Sequence, residues 1–94
     1  MLDDYLTEIL SICASEFDVT VSDVLGKSKK QELVYCRKAF CVIAKESLDV
    51  KLNVMAGKLN RSVNAVSSFI SNQPDNKYYN VCLRQIKSRV KPFG

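Results

Sequence analysis

The chain reads as an all-α, single compact domain of about six helices, and three observations carry that reading. Apolar residues recur at three- and four-residue steps through most of the 94 residues. Only three Gly and two Pro interrupt the pattern, and no stretch alternates as a strand would. Clusters suited to helix caps and turns recur at short intervals, around Asp18, Ser28, Asp49, Asn60 and Pro74.

Residues 1–17 form the first expected helix, with Leu2, Tyr5, Leu6, Ile9, Cys13 and Phe17 on one side and Asp3 and Asp4 in its first turn, where negative charge suits the helix dipole. Thr20-Val21-Ser22-Asp23 resembles a capping box and opens a one-turn helix that Gly26 ends. Ser28 with Gln31 three residues on is a second such box, so a helix is expected to start there and run to about Leu48. Leu33, Cys36, Phe40, Ile43 and Ala44 make that helix apolar on more than one side, which marks it as the central one. Arg37 and Lys38 read as a polar stripe on it. Residues 77–90 form the last helix, with Tyr79, Cys82, Ile86 and Val90 inward and Arg84, Lys87 and Arg89 outward. Residues 91–94 are expected to fray.

Composition narrows the chemistry. There is no His, which removes imidazole acid–base catalysis, Ser-His or Cys-His nucleophile pairs and imidazole metal ligands. No phosphate-binding glycine loop is present, and the carboxylates pattern with the surface. The chain is therefore expected not to be an enzyme and to use no cofactor or metal. Cys13, Cys36, Cys41 and Cys82 have no metal-ligand spacing and sit on apolar helix faces, so they read as reduced core thiols. No apolar run approaches the roughly 18 residues of a membrane span, and no basic segment leads an apolar one at Met1. A soluble, cytoplasmic chain without a membrane partner is expected.

Charge is divided along the chain. Residues 1–26 hold six carboxylates and no Lys or Arg, whereas residues 27–94 hold all 14 Lys and Arg against four carboxylates, giving −6 and +10. A basic body is the footprint of a polyanion binder, or merely a solvated surface.

Residues 51–73 carry the sharper signal. Leu52, Met55, Ala56 and Leu59 pattern as one short helix, and Val63, Val66 and Phe69/Ile70 as a second, with a tight turn between. That is the layout of a helix-turn-helix, whose second helix can enter the DNA major groove. Lys58, Arg61 and the N-terminus of the second helix are expected to converge there, where a phosphate is favoured. Ser62 suits the cap position. Val63 reads as partial core, or as a contact to a thymine methyl. Asn64 and Ser67 project between the apolar positions and can reach base edges.

With those residues in view, the chain resembles a family. From about Thr7 to Val90 it is similar to the C-terminal DNA-binding domain of the bacterial replication initiator DnaA, a helical domain whose helix-turn-helix is related to that of the Trp repressor. The segment 21–30, VSDVLGKSKK, resembles the family's V-x-D-L-L-S-K-x-R. Val34-Tyr35-Cys36-Arg37-Lys38-Ala39 is similar to its v-x-x-R-Q-x-A, and Ala44-Lys45-Glu46 to its A-K-E. The segment 55–66, MAGKLNRSVNAV, lies where the family has I-G-x-x-F-G-x-R-D-H-T-T-V. The resemblance implies that Lys27 and Lys29 reach a minor groove, that Arg37 contacts the DNA backbone, and that Arg61 opens the recognition motif. The family's base-reading Asp-His-Thr is Ser62-Val63-Asn64 here, and one residue of the turn is missing, so a different target sequence is implied.

Together these readings give a double-stranded DNA binder. Lys27, Lys29, Lys30, Arg37, Lys38, Lys51 and Arg61 are expected to hold phosphates, and Ser62, Val63, Asn64 and Ser67 to face the major groove. The alternative is a protein-interaction module on the same scaffold, using the acidic first helix as its partner surface.

Overall fold

The computed structural model of the chain describes residues 2–90, which are 76% helical and contain no strand. Six helices follow in order: α1 (Leu2–Glu16), α2 (Val21–Leu25), α3 (Gln31–Leu48), α4 (Leu52–Leu59), α5 (Val63–Ser71) and α6 (Lys77–Arg89). The Cα radius of gyration is 11.8 Å, close to the roughly 12 Å expected for a globule of this length. The expected helical start at Met1 and the expected fraying of residues 91–94 lie outside the described residues.

The apolar pattern of α3 decides the architecture. Half of its residues are buried, on more than one side, and it packs against each of the other five helices. The buried side chains of all six helices merge into one cluster. At one end of that cluster Phe17, Tyr35 and Tyr79 meet, with the Tyr35 and Tyr79 rings 5.3 Å apart and the Phe17 and Tyr79 rings stacked at 6.2 Å. This aromatic contact joins the end of α1 to α3 and α6.

Three of the helices end on a residue in the left-handed region, and none of the three is Gly: Asp18 (φ 55°), Asp49 (φ 51°) and Asn60 (φ 57°). Asx side chains tolerate this conformation better than other non-glycine residues do. After α1, Val19 N–H reaches Ala14 O at 2.9 Å and Asp18 N–H reaches Ser15 O at 3.2 Å; after α4, Arg61 N–H reaches Ala56 O at 2.9 Å and Asn60 N–H reaches Gly57 O at 3.3 Å. Both are Schellman closures, which satisfy carbonyls the helix leaves over. Gly26, by contrast, ends α2 with extended backbone.

At the starts of helices, Thr20, Ser62 and Asn76 accept from the N–H three residues on, at 3.1, 3.1 and 3.0 Å. The expected box at Ser28 is different. Ser28 Oγ accepts only from Lys30 N–H at 3.4 Å, and α3 begins at Gln31 with no side-chain cap. Gln31 instead donates to Tyr35 Oη one turn on, at 2.5 Å.

All four cysteines are buried free thiols. Burial pushes the Cys36 and Cys41 thiols from an ordinary 9.0 up to about 12. Burial, then the neighbouring Cys36 and Cys41, raises Cys13 as well. The native state thus holds these protons more tightly than the unfolded chain does. Their contribution to stability is complete below pH 9 and is lost as pH rises toward 12. Urea unfolding followed against pH should show a plateau that falls in that window, and Cys36→Ala with Cys41→Ala should flatten the fall. At the α4–α5 turn, Asn60→Val should cost about 1–2 kcal/mol, while Asn60→Gly should stay near neutral in the same assay.

Candidate functional site

The α4–α5 corner is built by a three-residue turn, Asn60-Arg61-Ser62. Asn60 reverses the chain in the left-handed region, Arg61 closes the Schellman bond, and Ser62 caps α5. Each of these residues has a backbone reason for its place, which is why the corner needs no glycine.

α5 then rests against α3 and α4 with Val66 as its one buried residue. Ala65, Phe69 and Ile70 are half-buried, while Val63, Asn64, Ser67 and Ser68 are exposed. Asn64 and Ser67 therefore stand on the outer face, as their spacing predicted. Val63 does not join the core, being 44% exposed. It lies in the first turn of α5, before that helix comes down on α3.

Arg37 overturns the reading of a polar stripe on α3. It is 2% exposed. Its Nε donates to Val24 O at 2.8 Å and its Nη2 to Asp23 O and Gly26 O at 3.3 and 3.2 Å. These carbonyls stand at the C-terminal end of α2, where a cation is also favoured by the helix dipole; Asp23 O accepts from Gly26 N–H as well. Burial, and then the nearby Arg61 cation, lowers the Arg37 pKa. Arg37 is a strut between α2 and α3, not a rim residue reaching out to phosphate.

Arg61 reaches the same place from the other side. Its Nη1 donates to Asn60 O at 3.0 Å and Leu59 O at 3.4 Å, and its Nη2 donates to Gly26 O. Two guanidinium groups from distant segments thus converge on a single carbonyl. Beside them lies an open cleft of about 550 Å³. Its cations are Lys27, Lys29, Arg37 and Arg61, and its apolar floor is Val34, Ala65 and Phe69.

The other expected cations go elsewhere. Lys30 lines a separate hollow with Asp18, Asp23 and Glu32. Lys51 lines another, between Leu2, Leu48 and Val54. Lys38 is half-buried on α3. Lys58, expected beside Arg61, turns to α1 and meets Asp3 at 3.0 Å and Thr7 Oγ1 at 2.5 Å. This also ties down one of the carboxylates of the acidic helix.

Ion pairing separates the cleft from the rest of the surface. The pairs among the described residues are Lys45–Asp49, Lys58–Asp3, Lys87–Glu46 and Arg89–Glu16. None involves a cleft cation, so four positive charges meet there with no carboxylate against them. Val34, Ala65 and Phe69 were not read as site residues from sequence. The available signal was the four-residue spacing of Ala65 and Phe69, a second face of α5 beside that of Val66 and Ile70.

Among the described residues no helix is long and apolar enough to cross a membrane, and no cluster of three potential metal ligands occurs. Compared with known proteins, the chain matches no family model, no curated protein and no solved structure.

Replacing the strut gives a direct check on its role. Arg37→Met should leave Val24 O without a partner, since Asp23 O keeps the Gly26 N–H and Gly26 O keeps Arg61, and should cost about 1–3 kcal/mol in chemical denaturation. Lys29→Gln, on an exposed side chain, should stay within about 0.5 kcal/mol.

Proposed function

We infer that the chain is a binding module for double-stranded DNA, with α4 and α5 acting as a helix-turn-helix and α5 as the helix that enters the major groove. The observation that carries this reading is the pairing of an outward α5 face with an uncompensated basic edge beside it. Asn64 and Ser67 are exposed on that face, and Lys27 and Lys29, which share a cleft with Ala65 and Phe69 of the same helix, have no carboxylate partner among the described residues. Charged side chains next to a duplex supply affinity and position, and short polar side chains on the inserted helix supply sequence preference.

The roles differ from residue to residue. Lys27 and Lys29 are phosphate holders that share the cleft with Ala65 and Phe69 of α5. Arg61 sets the corner and offers its remaining donors beside them. Ser62 caps α5 through its oxygen and retains a hydroxyl proton to donate. Asn64 has the two-donor, two-acceptor amide that pairs with adenine in the major groove, and Val63, exposed next to it, suits a thymine methyl. The resemblance to the initiator's DNA-binding domain supports the same assignment, with Ser62-Val63-Asn64 implying a target other than the initiator's box.

The relocations of Arg37, Lys30 and Lys51 reduce the expected grip. About three to five neutralised phosphates give a slope of log K against log salt of roughly −2.7 to −4.5. Selection from a randomised duplex library at two salt concentrations measures this and the preferred site together. A slope near zero removes the phosphate grip. Asn64→Ala should then lose about 1–3 kcal/mol at the preferred site and little on random DNA. If Lys27→Glu with Lys29→Glu leaves biological activity intact while Asp4→Lys or Glu8→Lys abolishes it, the acidic α1 is the working surface and the protein-interaction reading replaces this one.

A further inference from the structure

We propose that the cleft between the 27–30 loop, α3 and α5 is a binding site for a small aromatic carboxylate. The proposal rests on the geometry of the cleft and does not depend on DNA binding.

Three properties coincide there. The first is charge. Lys27, Lys29, Arg37 and Arg61 border the cleft, and none of them takes part in an ion pair among the described residues. Like charges brought together repel one another, and an anion among them relieves that repulsion.

The second is a set of unused donors. A guanidinium carries five N–H groups. Arg37 spends its Nε–H and both Nη2 hydrogens on the carbonyls of Val24, Asp23 and Gly26. Arg37 is 2% exposed, so it adds its charge to the cleft from below, with three of its donors already used. Arg61 likewise spends three donors on carbonyls and keeps its Nε–H and one Nη2–H. A carboxylate takes two such donors side by side in a charge-assisted pair.

The third is the floor. Val34, Ala65 and Phe69 present an apolar surface beneath the cations. A bare inorganic anion would use the charges and leave that surface wet. A ring system covers it, with the Phe69 ring available for an aromatic contact. The volume of about 550 Å³ lies within the range of small-molecule sites, roughly 300–1,000 Å³, and suits one or two fused rings rather than a protein helix.

Binding there has a consequence for the phosphate holders. The anion would neutralise charge at Lys27, Lys29 and Arg61, so an occupied cleft weakens the attraction of this edge for any polyanion.

Naphthalene-2-carboxylate and its neutral isostere naphthalene-2-carboxamide, titrated into isotope-labelled protein and followed by NMR, provide the test. The carboxylate should give saturable shifts at Val34, Ala65 and Phe69, with Val81 on α6 unmoved, and should bind about tenfold tighter than the amide. Lys29→Gln should narrow that ratio by weakening the carboxylate alone. Ala65→Leu, which narrows the cleft, should abolish binding of both compounds, with the melting temperature reporting that each variant is folded. Equal affinity for acid and amide, shifts scattered over the surface, or no saturable shift overturns the proposal. A duplex titration of the same samples separates the two readings. DNA binding without carboxylate binding removes only the cleft ligand, and the converse removes only the DNA reading.

Discussion

The molecule depends on the carbonyl oxygen of Gly26 and the two arginines that reach it. α2 is five residues long, too short to hold itself by helix propensity, since nucleation is costly and short helices are marginal. Arg37 stabilises its C-terminal end from the buried side and Arg61 meets the same oxygen from the α4–α5 turn. One carbonyl therefore relates three segments that lie far apart in the chain. The arrangement holds two cations close together, and among the described residues neither has a carboxylate partner, so this edge of the molecule carries unbalanced positive charge.

A second set of contacts fixes the far end of α5. Tyr79, fully buried, donates its hydroxyl to Gln73 Oε1 at 2.5 Å, and Gln73 Nε2 donates to Phe69 O at 2.6 Å. The last carbonyls of α5 are thereby linked to the aromatic cluster at the base of the core. With Ser62 capping its start, α5 is held at both ends while burying one residue fully. Its outer face is left to exposed polar side chains on a rigid support, the condition under which short side chains can discriminate between partners.

Much of this was legible in the sequence. The six helices follow from three- and four-residue spacing and from the residues that stop them, and the buried thiols follow from their apolar positions. The outer face of α5 also followed, because Asn64 and Ser67 fall between residues that must pack. Side-chain destinations across tertiary contacts were not legible. Arg37 looked like a surface cation because Arg usually is one. The carbonyls that draw it inward belong to a helix thirteen residues earlier, and no local pattern encodes that meeting. Lys58 was misplaced for the same reason, since its partners Asp3 and Thr7 stand on α1. The cleft floor escaped notice because Phe69 is apolar at a helical spacing, which fits a core residue equally well.

The turns made by Asp18, Asp49 and Asn60 act on the other side of the folding equilibrium. A glycine at these positions would take up the left-handed backbone without strain, yet would leave the unfolded chain with more conformations to lose. Each Asx residue accepts some strain in the folded molecule in exchange for a less disordered unfolded one. The three reversals thus begin with part of their entropy cost already removed, and the helices on either side of them start their search for one another from a narrower set of directions.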